Sequence, residues 1–180
     1  YPDTEDGWLD AVTDFWLGRG PNGTEASSLN PSMMDKYTST WKFIASRYAN
    51  ESTIALFDLF NEPPRGRLSH AEHAQYLYPF YENLISEIRK VDDNRILNYQ
   101  PTWGWSTSYA RLLNTPNITF SFHFYSLKNN YDGNSSELES RFLSLWIPIK
   151  EWNIPVWISE VGIELFRSNS TLWAEHILTI

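Results

Sequence analysis

Leu56-Phe57-Asp58-Leu59-Phe60-Asn61-Glu62-Pro63 is an apolar run rich in strand formers that stops at Asn-Glu-Pro. Proline has no N–H to give a sheet ladder, so a strand beginning near Thr53 ends at Asn61 and leaves Glu62 at its carboxyl end. A second stretch has the same design: Ile154-Pro155-Val156-Trp157-Ile158-Ser159-Glu160-Val161-Gly162. Two glutamates at the ends of two buried strands predict a paired-carboxylate site.

Working outward, residues 1–30 carry Gly7, Gly18, Gly20, Pro21 and Gly23 among scattered aromatics. They read as an irregular loop region with one short helical turn near Trp8 to Trp16. A helix follows, with Asn30 as cap, Pro31 at its first position and Met34, Tyr37, Trp41, Ile44 and Tyr48 at spacings of three and four. Beyond Glu62, Ser69 and Glu72 form a capping box for a helix to about Val91, with Leu77, Tyr81, Leu84 and Ile88 facing inward and Pro79 expected to kink it.

The chain then reads as a strand over Arg95 to Tyr99, a short helix over Thr107 to Leu113 and a strand over Ile118 to Tyr125. A helix from a Ser136/Glu139 capping box to about Trp152, the strand carrying Glu160 and a last helix from Ser168 to Ile180 complete it. Apolar strands alternating with helices make this an α/β chain with a parallel sheet covered by helices. Glu62 and Glu160 stand three units apart at about 33 residues per unit, the repeat of an eight-stranded barrel, which needs about 250 residues in all. The 180 residues therefore read as a single partial domain, 1–180, of a (β/α)8 TIM barrel. The chain begins at Tyr1-Pro2-Asp3, as a processed or truncated piece would. Its outer strands would then be open apolar edges that favour association.

Composition narrows the function. A net charge of −8, from 14 basic and 22 acidic side chains, argues against nucleic acid or an anionic membrane surface as partner and favours a neutral or cationic ligand. With nine tryptophans and ten tyrosines the chain is rich in flat faces that suit sugar rings, though many must fill the core. No cysteine is present, so thiol chemistry and disulfides are excluded. No signal peptide or membrane span is visible. Sequons at Asn22, Asn50, Asn117, Asn134 and Asn169 exceed the roughly two or three expected by chance and point to a secreted, extracellular glycoprotein.

In parallel barrels the chemistry sits at the carboxyl ends of the strands, where Asn61, Glu62, His123, Tyr125 and Glu160 interrupt the apolar pattern. Two carboxylates flanking one bond suit glycoside hydrolysis, one donating a proton to the leaving oxygen while the other attacks the anomeric carbon. Each residue also has a plainer reading. Glu62 or Glu160 would cap a following helix, His123 would be a hydrogen-bonded core histidine and Tyr125 a rim aromatic. Asp58, with the strand parity of Glu62, reads as a structural residue of the barrel interior. Trp103 and Trp105 would either stack on sugar or pack within their loop. His70 and His73 read as a solvated helix face in preference to a metal site. Glu164 falls on the loop after Glu160.

The strand ends Asn61-Glu62-Pro63, His123-Phe124-Tyr125 and Ser159-Glu160-Val161-Gly162, in that order and at unit spacing, resemble glycoside hydrolase family 5, the cellulase-type retaining (β/α)8 barrels. The resemblance runs over about residues 31 to 166, the fourth to seventh barrel strands. It implies that Glu62 is the acid/base and Glu160 the nucleophile, that Asn61 binds the hydroxyl beside the attacked carbon, and that His123 and Tyr125 order the site. An arginine, a histidine with an asparagine, and a tryptophan that the family carries on other strands have no counterpart here. The expected activity is retaining cleavage of a neutral β-linked polysaccharide, foremost as an endo-β-1,4-glucanase, with no cofactor. The alternatives are a mannanase, xylanase or glycolipid glycosidase, an incomplete carbohydrate-binding remnant, or a barrel whose carboxylates hold a metal.

Overall fold

A computed structural model describes residues 3–103, 106–125, 135–162 and 175. Four parallel strands form one sheet in the order β1 (Leu56–Asp58), β2 (Ile96–Tyr99), β3 (Ile118–Tyr125) and β4 (Val156–Gly162). Sequential order in a parallel sheet is the arrangement of βα units laid side by side. Helices α1 (Glu5–Trp16), α2 (Met33–Tyr48), α3 (His70–Arg89) and α4 (Ser135–Trp146) accompany it, with one 3-10 turn at Pro21–Gly23.

The two faces of the sheet differ in chemistry. Phe57, Leu59, Leu97, Tyr99, Phe120, Phe122 and Phe124 are buried in the core that also holds Leu77, Tyr81, Leu84 and Ile88 of α3 and Leu138 and Leu145 of α4. The alternate positions Asp58, Asn98, Ser121 and His123 carry polar groups to the other face, as a strand's period of two requires.

The opening segment is more regular than an irregular loop. Thr4 Oγ1 accepts the Gly7 N–H at 3.1 Å, Glu5 and Asp6 favour the helix N-terminus, and a twelve-residue helix runs until Gly18 adopts φ 69. Helix α2 starts later than Asn30-Pro31, because Ser32 accepts the Asp35 N–H and becomes the cap, while Asn30 bonds to Thr24. No helix forms over 107–113. The segment is too short to nucleate alone, and its backbone finds side chains instead: Tyr99 Oη donates to Arg111 O and accepts the Leu113 N–H.

Helix α4 begins at Ser135, so Ser136 lies inside it, and it ends at Trp146, not Trp152, because Pro148 cannot continue it. The ladder of β1 is shorter than Thr53 to Asn61. Helix α3 runs through Pro79 with its Ser69–Glu72 capping box intact. Apart from Glu175, which is helical, the expected helix from Ser168 to Ile180 lies outside the described residues, as do Trp105, Glu164 and the sequons Asn134 and Asn169. Asn22, Asn50 and Asn117 are exposed. Among the described residues no helix is long and apolar enough to cross a membrane.

Candidate active site

Glu62 does not sit on the strand itself. It follows β1 in a turn with φ 45, a left-handed backbone that few non-glycine residues adopt and that is characteristic of functional sites. Its N–H is satisfied by Gln100 Oε1 at 2.9 Å, from the carboxyl end of the neighbouring strand. The loop beyond is clamped to α1: Trp16 Nε1 donates to Pro64 O at 2.6 Å, and Arg67 pairs with Asp6 and Asp10. Gly66, at φ 59, lies so close to α1 that a Cβ there would come within 2.5 Å of Thr13 Oγ1.

Glu160 reaches the same place by a different device. The β3–β4 register runs Phe122 to Ile158 and then His123 to Glu160, so Ser159 is an extra residue that forms a bulge. Without it Glu160 would share a face with Ile158. With it Glu160 falls into phase with His123 on the polar face. Gly162 stands opposite Tyr125, where a Cβ would approach the Tyr125 ring to 3.2 Å, so its bareness leaves that ring room.

The side chains converge. His123 Nδ1 and Glu62 Oε1 share a hydrogen bond of 2.6 Å, and His123 Nε2 faces Glu160 Oε1 at 3.4 Å. One carboxylate oxygen from each glutamate and a ring nitrogen of His123 lie within 4.8 Å of one another. Tyr125 Oη donates to Glu160 Oε2 at 2.6 Å. That bond, with burial and the charges of both glutamates adding to it, pushes the Tyr125 phenol up to about 12, so it remains a donor at neutral pH. The imidazole is fully buried, whereas the side chains of Glu62 and Glu160 remain 29% and 40% exposed and so open to a ligand. Each of the three groups offers one ligand atom at a spacing that a metal ion could bridge.

Asn61 is exposed at the rim, and its Oδ1 accepts from Gln100 Nε2 at 3.3 Å. Asp58 lies beneath as a member of the polar face, accepting from Asn98 Nδ2 at 2.8 Å and Gln100 Nε2 at 3.5 Å; burial pushes its carboxyl pKa up against those bonds. Trp103 is half-buried beside the site. Its N–H donates to Pro63 O at 3.0 Å and its ring meets Trp8 edge-on at 6.5 Å. The His70–His73 pair is not a solvated face: His73 is buried against Trp16, with ring centroids 4.4 Å apart, while His70 stacks on Tyr109. Trp16 fills the inner side of α1, a full helix where the sequence suggests one short helical turn near Trp8 to Trp16. Asn98 and Gln100 were also missed there. The signal for them is two amides at alternate positions of an apolar strand, the parity that Ser121 and His123 follow on β3.

The sequence profile of the family described as Cellulase (glycosyl hydrolase family 5) matches residues 11–176. Endoglucanase H of Acetivibrio thermocellus is 23% identical over an alignment covering 91% of this chain and 18% of that protein. Among solved structures, endo-glycoceramidase II from Rhodococcus sp. in complex with ganglioside GM3 superposes with a TM-score of 0.76 at 20% identity, covering 96% of this chain and 41% of that one. Endoglucanase Cel5A from the hyperthermophilic Thermotoga maritima gives 0.68 at 18% identity, covering 81% and 54%. The chain thus spans under a fifth of the curated relative and about half or less of each structure. The shared fold makes the four strands part of a (β/α)8 barrel with the convergent side chains at its carboxyl-terminal rim.

Proposed function

The chain belongs to glycosyl hydrolase family 5, the cellulase family, and on that premise we propose that it supplies both catalytic carboxylates of a retaining β-glycosidase. Glu160 attacks the anomeric carbon while Glu62 protonates the departing oxygen, leaving a glycosyl ester on Glu160. Glu62, now ionised, takes a proton from water as that water displaces Glu160. The observation that carries this reading is the pair of carboxylate oxygens within 4.8 Å across His123. Retaining enzymes hold their carboxyls about 5–5.5 Å apart, whereas inversion needs about 6.5–9.5 Å to admit a water between them. Asn61 at the rim is placed to bind the hydroxyl beside the attacked carbon. His123 spaces the two carboxylates and Tyr125 steadies the ionised nucleophile.

The substrate is a neutral β-linked glucan in the first reading, supported by the likeness to endoglucanases. A glycolipid is the second, favoured because the likeness to the glycoceramidase extends over 96% of the chain against 81% for the endoglucanase. Hydrolysis of soluble cellulose, mannan, xylan and ganglioside, with the product anomer followed by NMR, decides among them. Release of the β-anomer from cellulose is the expected result, and cleavage of ganglioside alone would install the second reading. A first-formed α-anomer would sink retention, binding without turnover would indicate a carbohydrate-binding remnant, and loss of activity to a chelator would indicate a metal. Exposure of Asn22, Asn50 and Asn117 supports a secreted glycoprotein, tested by a mass shift on enzymatic deglycosylation.

A further inference from the structure

We infer that Gln100 is a positioning residue for both Asn61 and Glu62, resting on the reading of Glu62 as acid/base. A backbone N–H can only donate, so the 2.9 Å bond from Glu62 N fixes the Gln100 atom that receives it as Oε1. The other end of that carboxamide is then the NH2 group, which meets Asp58 Oδ2 at 3.5 Å and Asn61 at 3.3 Å. The Asn61 atom facing it must therefore be Oδ1, which leaves the Asn61 Nδ2 group free as a donor toward a sugar hydroxyl. One buried amide thus sets the orientation of the next.

The backbone of Gln100 is fixed as well. Tyr81 Oη accepts its N–H at 3.3 Å and donates to its carbonyl at 3.2 Å, and both residues are fully buried. Two residues earlier on the same strand face, Asn98 repeats the arrangement. Trp157 Nε1–H fixes its Oδ1 at 3.1 Å, and its Nδ2 donates to Asp58 Oδ1 and Ser121 Oγ, each at 2.8 Å. Asp58 is therefore the acceptor on which both amides anchor. Glu62 holds a left-handed backbone at φ 45, and such strain persists only where the surroundings determine it. Gln100 supplies that determination with a neutral acceptor that adds no charge of its own beside Glu62.

The test uses Gln100→Met, which keeps the volume and removes both polar ends, and Gln100→Glu, which keeps the acceptor for Glu62 N–H. Hydrogen exchange of the Glu62 amide requires no turnover. It is expected to be protected in the native protein and in Q100E and fast in Q100M; equal protection in all three would overturn the inference. For Q100M, kcat on an unactivated oligosaccharide is expected to fall on the order of 10²-fold. On a 2,4-dinitrophenyl β-glycoside, whose leaving group needs no proton, turnover is expected to be restored by azide, a nucleophile that needs no base. A fold-wide structural defect would instead slow both substrates alike without rescue, which also overturns it. Q100E is expected to regain activity as pH falls and its carboxyl becomes a donor to Asn61. Glu62→Ala is the control: if it is not rescued by azide, the acid/base reading fails, while the exchange result still decides whether Gln100 holds the turn.

Discussion

Glu62 leaves β1 through a left-handed turn, its N–H held by a buried amide and the loop beyond it clamped by α1, whereas Glu160 stays within β4 and is turned into the cleft by one extra residue, Ser159. The surroundings differ as well. Trp157, Ile158 and Val161, which flank Glu160 along β4, are exposed at 42%, 38% and 53%, while Pro63, beside Glu62, is buried. The difference matches what each carboxylate would have to do in the proposed mechanism. An acid/base has to aim equally well with and without its proton, and neutral amide contacts on its backbone hold it in both states. A nucleophile has to stay ionised, and a phenol donating to its carboxylate favours that state.

The largest effects expected are those that separate the two roles. Glu160→Ala removes the group that forms the ester and should cost on the order of 10⁴-fold in kcat on any substrate. Glu62→Ala should cost about 10²–10⁴-fold on an unactivated glycoside and much less in the first step on a dinitrophenyl glycoside. Steady-state and burst kinetics on both substrates check this. Equal losses for the two variants on both substrates would erase the functional distinction between the two positions.

A smaller effect tests the scaffold behind Glu62 alone. His73 lies under Trp16, the residue that ties α1 to Pro64, with both ring nitrogens buried and unpartnered. Burial, helped by the charges of His70 and Arg65, holds its pKa down to about 3 against an ordinary 6.5. The folded state therefore keeps the neutral ring while the unfolded chain takes up a proton below pH 6.5. Stability should be fully present above that value and fall by about 1.4 kcal/mol per pH unit towards pH 3, or about 2 kcal/mol at pH 5. Denaturant unfolding at pH 7 and pH 5 should show this loss in the native protein and its near absence in His73→Leu. Identical pH dependence in the two would remove His73 from the account.

The same contrast explains what the sequence made legible. Strand ends punctuated by Pro63 and Gly162 can be read directly, because proline and glycine constrain the backbone wherever they fall. So can the face of α3, where apolar spacing and a capping box agree. The bulge at Ser159 was not legible: strict alternation from Trp157 puts Glu160 on the wrong face, and only the pairing with β3 shows the extra residue. Gln100 went unnoticed for a related reason, since its meaning lies in a contact with a turn 38 positions away. Helix α1 was read as no more than a short turn because of Gly7 within it and Gly18, Gly20 and Gly23 after it, although Thr4 and the acidic first turn are ordinary start signals. Its value to the site comes from Trp16 and Arg67, contacts between elements that no local pattern encodes.

The smallest expected effect sharpens the Glu160 side of the comparison. Tyr125 stays protonated because its bond to Glu160 pushes the phenol up to about 12, so through neutral pH it can only stabilise the ionised carboxylate. Tyr125→Phe removes that donor and leaves the ring and the space opposite Gly162 unchanged. The ionised nucleophile then loses a charge-assisted hydrogen bond, and kcat/KM at neutral pH should fall by about tenfold on activated and unactivated glycosides alike. A loss confined to the unactivated glycoside would mean that Tyr125 acts on the acid/base, and the division of labour between the two carboxylates would have to be redrawn around His123.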